Sequence, residues 1–338
     1  MSNGAAEYEL PPEPLEPVRE RWLLHVALFL ATFGCVAGLQ RLQMGNVHDA
    51  LLFTVALLAI LTTHEFGHYF AGKYYGVSIS PPYFIPLPLP PIGTLGAVIR
   101  IRTLIPTRNA LVDIGAAGPI AGMVIAIPLL FVGTAVSHYA PVPYEAGVHL
   151  PGRLSLWSVG ATVGHALLSN AGTLGERFAA AGHALSVLAS PEPPSPWSGD
   201  CLLSWFAQRW LLGPRPPGTD LYLHPIANAA WWGCLVTMLN LFPVGQLDGG
   251  HVTAALFGRA AVRLGNWVHV AMAGLVVFAS PSWVLWLLLT RYLVGVGHPP
   301  VTRPDEPLTK SRYVIAFICL ALLVLTLIPV PFETRGAS

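Results

Sequence analysis

Charge is what this chain has least of. Asp, Glu, Lys and Arg together make up 10% of its 338 residues, against about 25% in an ordinary soluble domain. A soluble enzyme carried on a membrane anchor would keep a normally charged catalytic domain, so that class is excluded. The net charge of +1 provides no basic face for nucleic acid, which is therefore not an expected partner. Cysteine is also sparse, and the four present follow no spacing motif. Cys35, Cys234 and Cys319 fall in apolar stretches and Cys201 in a loop. They read as small core residues, not as a disulfide framework or a metal-binding set. The chain shows no internal repeat and no succession of alternating strands that would build a β-rich peptide-binding module. Residues 1–20 are acidic and Pro-rich (Glu7, Glu9, Pro11, Pro12, Glu13), unlike a cleavable signal or an Arg-rich transit peptide. A mobile tail is expected there.

Apolar residues are abundant instead. They make up 54% of the chain, and the mean hydropathy is +0.59, values of a polytopic membrane protein. A span needs about 20 apolar residues to cross a hydrocarbon core of about 30 Å. Stretches that approach this are 22–39, 50–70, 110–136, 225–241, 262–279, 283–296 and 313–330. The expected fold is thus all-α, with about seven transmembrane helices, in a range of roughly six to eight. The third stretch is rich in small residues (Gly115, Ala116, Ala117, Gly118, Ala121, Gly122), which let helix backbones approach closely. Basic residues orient the bundle. Lys73, Arg100, Arg102 and Arg108 follow the second stretch closely, whereas residues 137–223 carry only Arg153, Arg177, Arg209 and Arg215. Alternation then puts the N-terminus and the far end of the second span in the cytoplasm, as in a bacterial inner membrane.

That second span ends in His64-Glu65-Phe66-Gly67-His68. At 3.6 residues per turn, His64 and His68 stack on one helix face. Two imidazoles so placed can share a zinc ion, with Glu65 beside the first as a base for water activated by the metal. Placing such a set among apolar residues is costly, and intramembrane ionisable groups mark function. The bland alternative is a pair of histidines that only hydrogen-bond to neighbours. A catalytic zinc usually has three protein ligands, and acidic residues near the spans are few. Asp113 sits near the start of the third span, where a negative charge is ordinary. Asp248 follows Pro243 and Gly245, which break the fourth helix, and precedes Gly249-Gly250, so the chain is free to turn a carboxylate inward. A helix-terminating turn with a solvated Asp248 is the competing reading. Gly67 and the two glycines leave room for water to reach the metal. His224, His251 and His298 read as hydrogen-bonding residues at span ends, with His251 near enough to Asp248 to buttress it.

Two connecting segments complete the plan. Residues 81–103 are apolar but broken by proline, so no straight helix forms. Their second half, 93–101, has β-branched content punctuated by Gly93 and Gly96. A short membrane-associated β-hairpin or re-entrant loop is expected, with an ordinary interfacial loop as the alternative. Residues 137–223 hold helical patches at 161–188 and 202–212 between Pro-rich joints. The expected layout is a tail (1–20), a membrane core with the zinc motif and the β or re-entrant segment (21–136), an extramembrane or interfacial insertion (137–223), a second membrane core with Asp248 and the C-terminal helices (224–331), and a tail (332–338).

H-E-x-x-H in one apolar helix, followed far downstream by Asn240-Leu241-Phe242-Pro243 and Leu247-Asp248-Gly249, resembles the site-2 protease family of intramembrane zinc metalloproteases. The stretches FIPLPLPPIGTLGAVIRIR, DIGAAGPIAG, LHPIANAAWWGCLVTMLNLFPVGQLDGGH and GHPP resemble the branch found in bacteria and chloroplasts, which frequently lacks a PDZ module. The resemblance implies one Zn2+ held by His64, His68 and Asp248, with Glu65 as catalytic base. It also carries over Asn240, either as a donor to the substrate carbonyl or as a tie for the broken helix. The implied substrate is a single-span membrane protein within the lipid bilayer: an anti-sigma factor or other membrane-bound transcription regulator, or a signal-peptide remnant. A strand through Gly93, Gly96 and Val98 would offer its edge to an unwound substrate. Rival readings are a divalent metal transporter, since ZIP-type transporters carry a similar motif, and a non-proteolytic membrane scaffold.

Overall fold

The computed structural model describes residues 20–141, 199–217 and 219–329, and these are mostly helical. Helix α1 (Trp22–Met44) ends at Gly45, whose φ of 77° is the left-handed conformation glycine adopts without a steric penalty. Asn46 then caps α2 (Val47–Tyr74), its side chain accepting the Asp49 N–H at 2.8 Å. Helix α3 (Arg108–Ala135) starts on a Thr107 cap and runs through Pro119 and Pro128, prolines that neighbouring helices make tolerable in apolar surroundings. After α4 (Leu202–Leu211) come α5 (Pro225–Asn240), α6 (Asp248–Phe257), α7 (Ala260–Phe278) and α8 (Trp283–Leu288). Helix α8 runs into a π-helical turn (Leu289–Val294), and α9 (Lys310–Thr326) is last.

Four helices, α1, α2, α3 and α7, are long and apolar enough to cross a membrane by length and composition. The other three expected spans are too short to count among them, although each comes within one or two residues of the length drawn from hydropathy. Helix α5 has 16 residues, or about 24 Å at 1.5 Å per residue, because its apolar run ends in the Pro243 break. The stretch 283–296 divides into six α-helical residues and a six-residue π turn. Helix α9 has 17 residues.

Helix α3 is the centre of the molecule. Its buried face includes Ala116, Met123, Ala126 and Leu130, in one apolar cluster with Ile60 of α2 and Trp231, Cys234 and Met238 of α5. Close approach to three partners depends on its glycines. A Cβ on Gly133 would collide with the backbone of Ala227, and one on Gly115 would lie 2.7 Å from the His251 Cβ of α6. At the start of α9, Arg312 clamps Asp113 of α3 through Nε at 3.1 Å and Nη2 at 2.5 Å and donates to Tyr75 Oη at 2.9 Å. The Tyr75 hydroxyl also donates to Asp113.

The Pro-rich connector forms an antiparallel ribbon of β1 (Tyr83–Pro86) and β2 (Thr94–Val98), with Tyr83 opposite Val98 and Phe84 opposite Ala97. Helix α1 is its support. Phe29 meets Phe84 edge-on at 5.1 Å, and the Gln40 and Gln43 amides both donate to Pro91 O at 3.1 Å. Glu20 pairs with Arg102 at the other end, and that bond holds the Glu20 carboxyl below the usual carboxylate range. A second ribbon, β3 (His138–Pro141) with β4 (Thr219–Tyr222), joins the end of α3 to the approach of α5. It was not expected from the sequence. The helical patch expected at 161–188 lies outside the described residues, as do most of 1–20 and all of 332–338; the patch at 202–212 corresponds to α4.

Candidate metal centre

Every side chain of the centre is set by the packing around α3. His64 and His68, one turn apart on α2, bring their Nε2 atoms to 3.2 Å from each other. Asp248 opens α6 and reaches both rings, Oδ2 to His64 Nε2 and Oδ1 to His68 Nε2, each at 3.2 Å. Behind them lie Gly118, where a methyl would overlap the His68 imidazole, and Gly122, where it would lie 3.1 Å from the His64 Cβ.

Asp248 is delivered by the break after α5. Residues 241–247 form successive turns in which Gly245 takes a φ of 51°, a left-handed value that favours glycine. Gly249 and Gly250 do a different job from the one their flexibility suggests. They lie in the first turn of α6, where a Cβ on either would collide with the carbonyl of Leu241 or Gly245. They give close approach, not freedom. Gly67 likewise abuts the α3 backbone, with its Cβ position 2.5 Å from Ala117 O. It is a helix-packing position and does not make space for water.

The donor set fits zinc on geometry and on chemistry. Tetrahedral bonds of about 2.0–2.1 Å place ligand atoms about 3.3 Å apart, close to the three separations of 3.2 Å found here. His68 Nδ1 donates to Ile114 O at 2.7 Å, which fixes the tautomer with the Nε2 lone pair directed inward. The buried His64 Nδ1 has no such partner among the described residues. Among the described residues, these three form the only group of His, Cys, Asp or Glu with donors converging as a metal requires. A transport path would need further polar ligands.

Glu65 is 9% exposed and close enough to His68 and Asp248 to feel their charges. Asn240, the last residue of α5, places its Nδ2 3.4 Å from His64 Nε2. Gly96 and Val98 lie in β2 of the ribbon and Gly93 immediately before it. His251 points its Nδ1 at His298 Nε2, 2.6 Å away, and so pairs with that residue instead of bracing Asp248. Sequence reasoning missed Arg108, which begins α3 and donates to the Ala255 and Leu256 carbonyls at 2.7 and 3.2 Å. It thereby fixes the far end of the helix that carries Asp248. A basic residue beside Thr107 at a helix start gives no sign of such a distant partner.

Two imidazoles and a carboxylate converging within apolar helices, with a glutamate alongside, form the donor set of a zinc hydrolase. The sequence profile described as Peptidase family M50 matches residues 52–194. The chain is 30% identical to "Probable zinc metalloprotease EGY1, chloroplastic" of Arabidopsis thaliana, over 84% of this chain and 44% of that protein. It is 27% identical to the EGY2 protein of the same plant, likewise named a probable zinc metalloprotease, over 85% of this chain and 43% of the relative. The EGY1 protein of Oryza sativa subsp. japonica is 28% identical, over 86% and 42%. These likenesses support the site-2 protease family, Peptidase family M50, as the family that this chain resembles. The chain spans less than half the length of these curated relatives. No solved structure matches.

Proposed function

We propose that the chain is an intramembrane zinc metalloprotease that cuts peptide bonds within or near the transmembrane segments of other membrane proteins. The observation that carries this reading is the mutual 3.2 Å approach of His64, His68 and Asp248. These three residues would hold the zinc. When bound, zinc supplies Lewis-acid polarisation of the scissile carbonyl and a water acidified towards neutrality. Glu65 takes the proton of the attacking water and returns it to the leaving amine. Asn240 directs its amide at the same place and donates to the developing oxyanion. Removing one such donor typically costs about 2.7–4 kcal/mol in the transition state. The apolar enclosure strengthens each of these contacts by excluding bulk water.

A substrate helix must unwind before its carbonyls can be attacked, and its freed backbone groups then need partners. The β1–β2 ribbon supports a place for this, with the exposed Leu95 and Val98 on β2 and edge groups for an added strand. Gly93 and Gly96 belong to this reading as positions that shape the ribbon, with φ of 84° and 88°. The substrates would be single-span membrane proteins such as an anti-sigma factor, another membrane-bound transcription regulator or a signal-peptide remnant. The full arrangement would have about seven spans, with α5, α8 and α9 completing the four long helices. Lys73, Arg100, Arg102 and Arg108 would face the cytoplasm, in a bacterial inner membrane.

The test is Glu65→Gln in membranes, read by cleavage and by metal content together. Loss of a general acid–base typically lowers the rate by about 10²–10⁴-fold, with zinc retained and uncut single-span proteins accumulating. Undiminished cleavage by the variant would rule the mechanism out.

A further inference from the structure

The stretch between the π-helical turn and α9 is not a loose connector. Thr302 and Arg303 donate their N–H groups to Ile105 O at 3.1 Å and Pro106 O at 2.9 Å. The Asn109 amide donates to Pro307 O at 3.1 Å, and its oxygen accepts the Thr309 N–H at 3.0 Å. These bonds tie the stretch to the start of α3. Its other end lies on the turn that delivers Asp248, where a Cβ on Gly245 would collide with Gly295 O. Next to this contact, His298 Nε2 lies 2.6 Å from Nδ1 of His251 in α6, and the two rings meet edge-on with centroids 4.8 Å apart. The protons of this pair are assignable. His298 Nδ1 is 2.6 Å from Pro299 O, and a carbonyl only accepts, so that nitrogen carries the proton. With both rings neutral, His298 Nε2 presents a lone pair and the His251 Nδ1–H donates to it.

We infer that His298 is a positioning residue of the metal centre, acting through the His251 ring to hold the first turn of α6, and with it Asp248, against His64 and His68. The inference rests on the reading of those three residues as zinc ligands. Arg108 of α3 already secures the far end of α6, so the helix is held at one end by α3 and at the other by a stretch that α3 anchors. The Gly245–Gly295 approach fixes where that stretch lies, and the imidazole pair supplies the directional bond to α6. Without the His298 acceptor, the His251 Nδ1–H loses its partner and the first turn of α6 loses its side-chain tie. The carboxylate must then be ordered when the metal binds, and affinity falls. Support behind a metal ligand typically accounts for about 10–100-fold in affinity.

The experiment measures zinc affinity of the full chain in detergent by competitive chelator titration, for the wild type, His298→Ala, His298→Asn and His298→Gln. A glutamine amide oxygen reaches the place of His298 Nε2 and can accept from His251, whereas an asparagine amide reaches only the place of Nδ1. Affinity is expected to be about 10–100-fold weaker in the alanine and asparagine variants and close to wild type in the glutamine variant. Wild-type affinity in the alanine and asparagine variants would overturn the inference. So would a glutamine variant as weak as alanine, because the ring itself and not its hydrogen bond would then matter. If His298→Ala does not fold, the contrast between asparagine and glutamine decides alone. A wild type that binds no zinc would defeat the zinc reading and this inference with it, whereas binding unchanged across the variants would defeat the brace alone.

Discussion

At the scale of single residues, the centre depends as much on missing side chains as on the three side chains proposed to hold the metal. Gly118 and Gly122 give α3 the smooth face against which His68 and His64 lie. Gly118→Ala places a methyl where the His68 ring sits, and α3 is too enclosed to move away. The expected outcome is a metal affinity about 10–100-fold weaker, the range seen when support behind a ligand is removed, with helicity by circular dichroism unchanged. Competitive chelator titration measures it, and unaltered affinity would mean the ring position does not matter. His64, Glu65 and His68 were legible in the sequence because one short spacing rule places them on a helix face. Asp248 was legible through the Pro243 and Gly245 break, but the contact role of Gly249 and Gly250 was not, since it depends on carbonyls brought back by the turn. Asp113 read as an ordinary helix-start charge. Its clamp by Arg312 and Tyr75 joins three distant stretches, and local pattern carries no trace of that.

At the scale of elements, hydropathy located the apolar runs well and the geometry inside them poorly. Helix α5 ends at Asn240, within one residue of the run drawn to Leu241 and ahead of the Pro243 break, whereas the run at 283–296 changes from α to π geometry with no residue signal beyond its Gly295 end. The ribbon shows the same division. Strand β2 falls inside the β-branched stretch 93–101, whereas β1 occupies Pro-rich sequence that argues against a strand, and its Pro86 sits at an irregularity in the pairing. Proline is tolerated at such an edge or bulge. If β2 receives the substrate, Val98→Pro removes a strand N–H and disturbs the edge without reaching the ligands. Cleavage should fall at least tenfold while zinc stoichiometry is kept. Wild-type turnover in the variant would remove the ribbon from the mechanism.

For the whole molecule, α1 is the most exposed of the four long helices, and tethers fasten it to the ribbon: Glu20 with Arg102, and Gln40 and Gln43 with Pro91. The Glu20 carboxyl is lowered in the folded state, so it contributes stability at pH values above its unfolded pKa of about 4.3. That contribution is lost as pH falls through the lower folded value. Melting temperatures in detergent should therefore fall more steeply for the wild type than for Glu20→Gln between about pH 5 and pH 3, and parallel curves would show that the tether contributes nothing. The overall plan, a helical membrane protein, was legible from composition alone, because scarcity of charge is a property of the whole chain. Which helices touch was not, because it is set by where α3 lacks side chains.

The most direct test is metal content with X-ray absorption at the zinc edge, on the purified, folded chain and on its Asp248→Ala variant. The account predicts one zinc per chain, in a shell of two imidazole nitrogens and carboxylate oxygen, and a strong loss of metal from the variant. A folded protein that takes up no zinc, or a variant that holds it as firmly as the wild type, would contradict it.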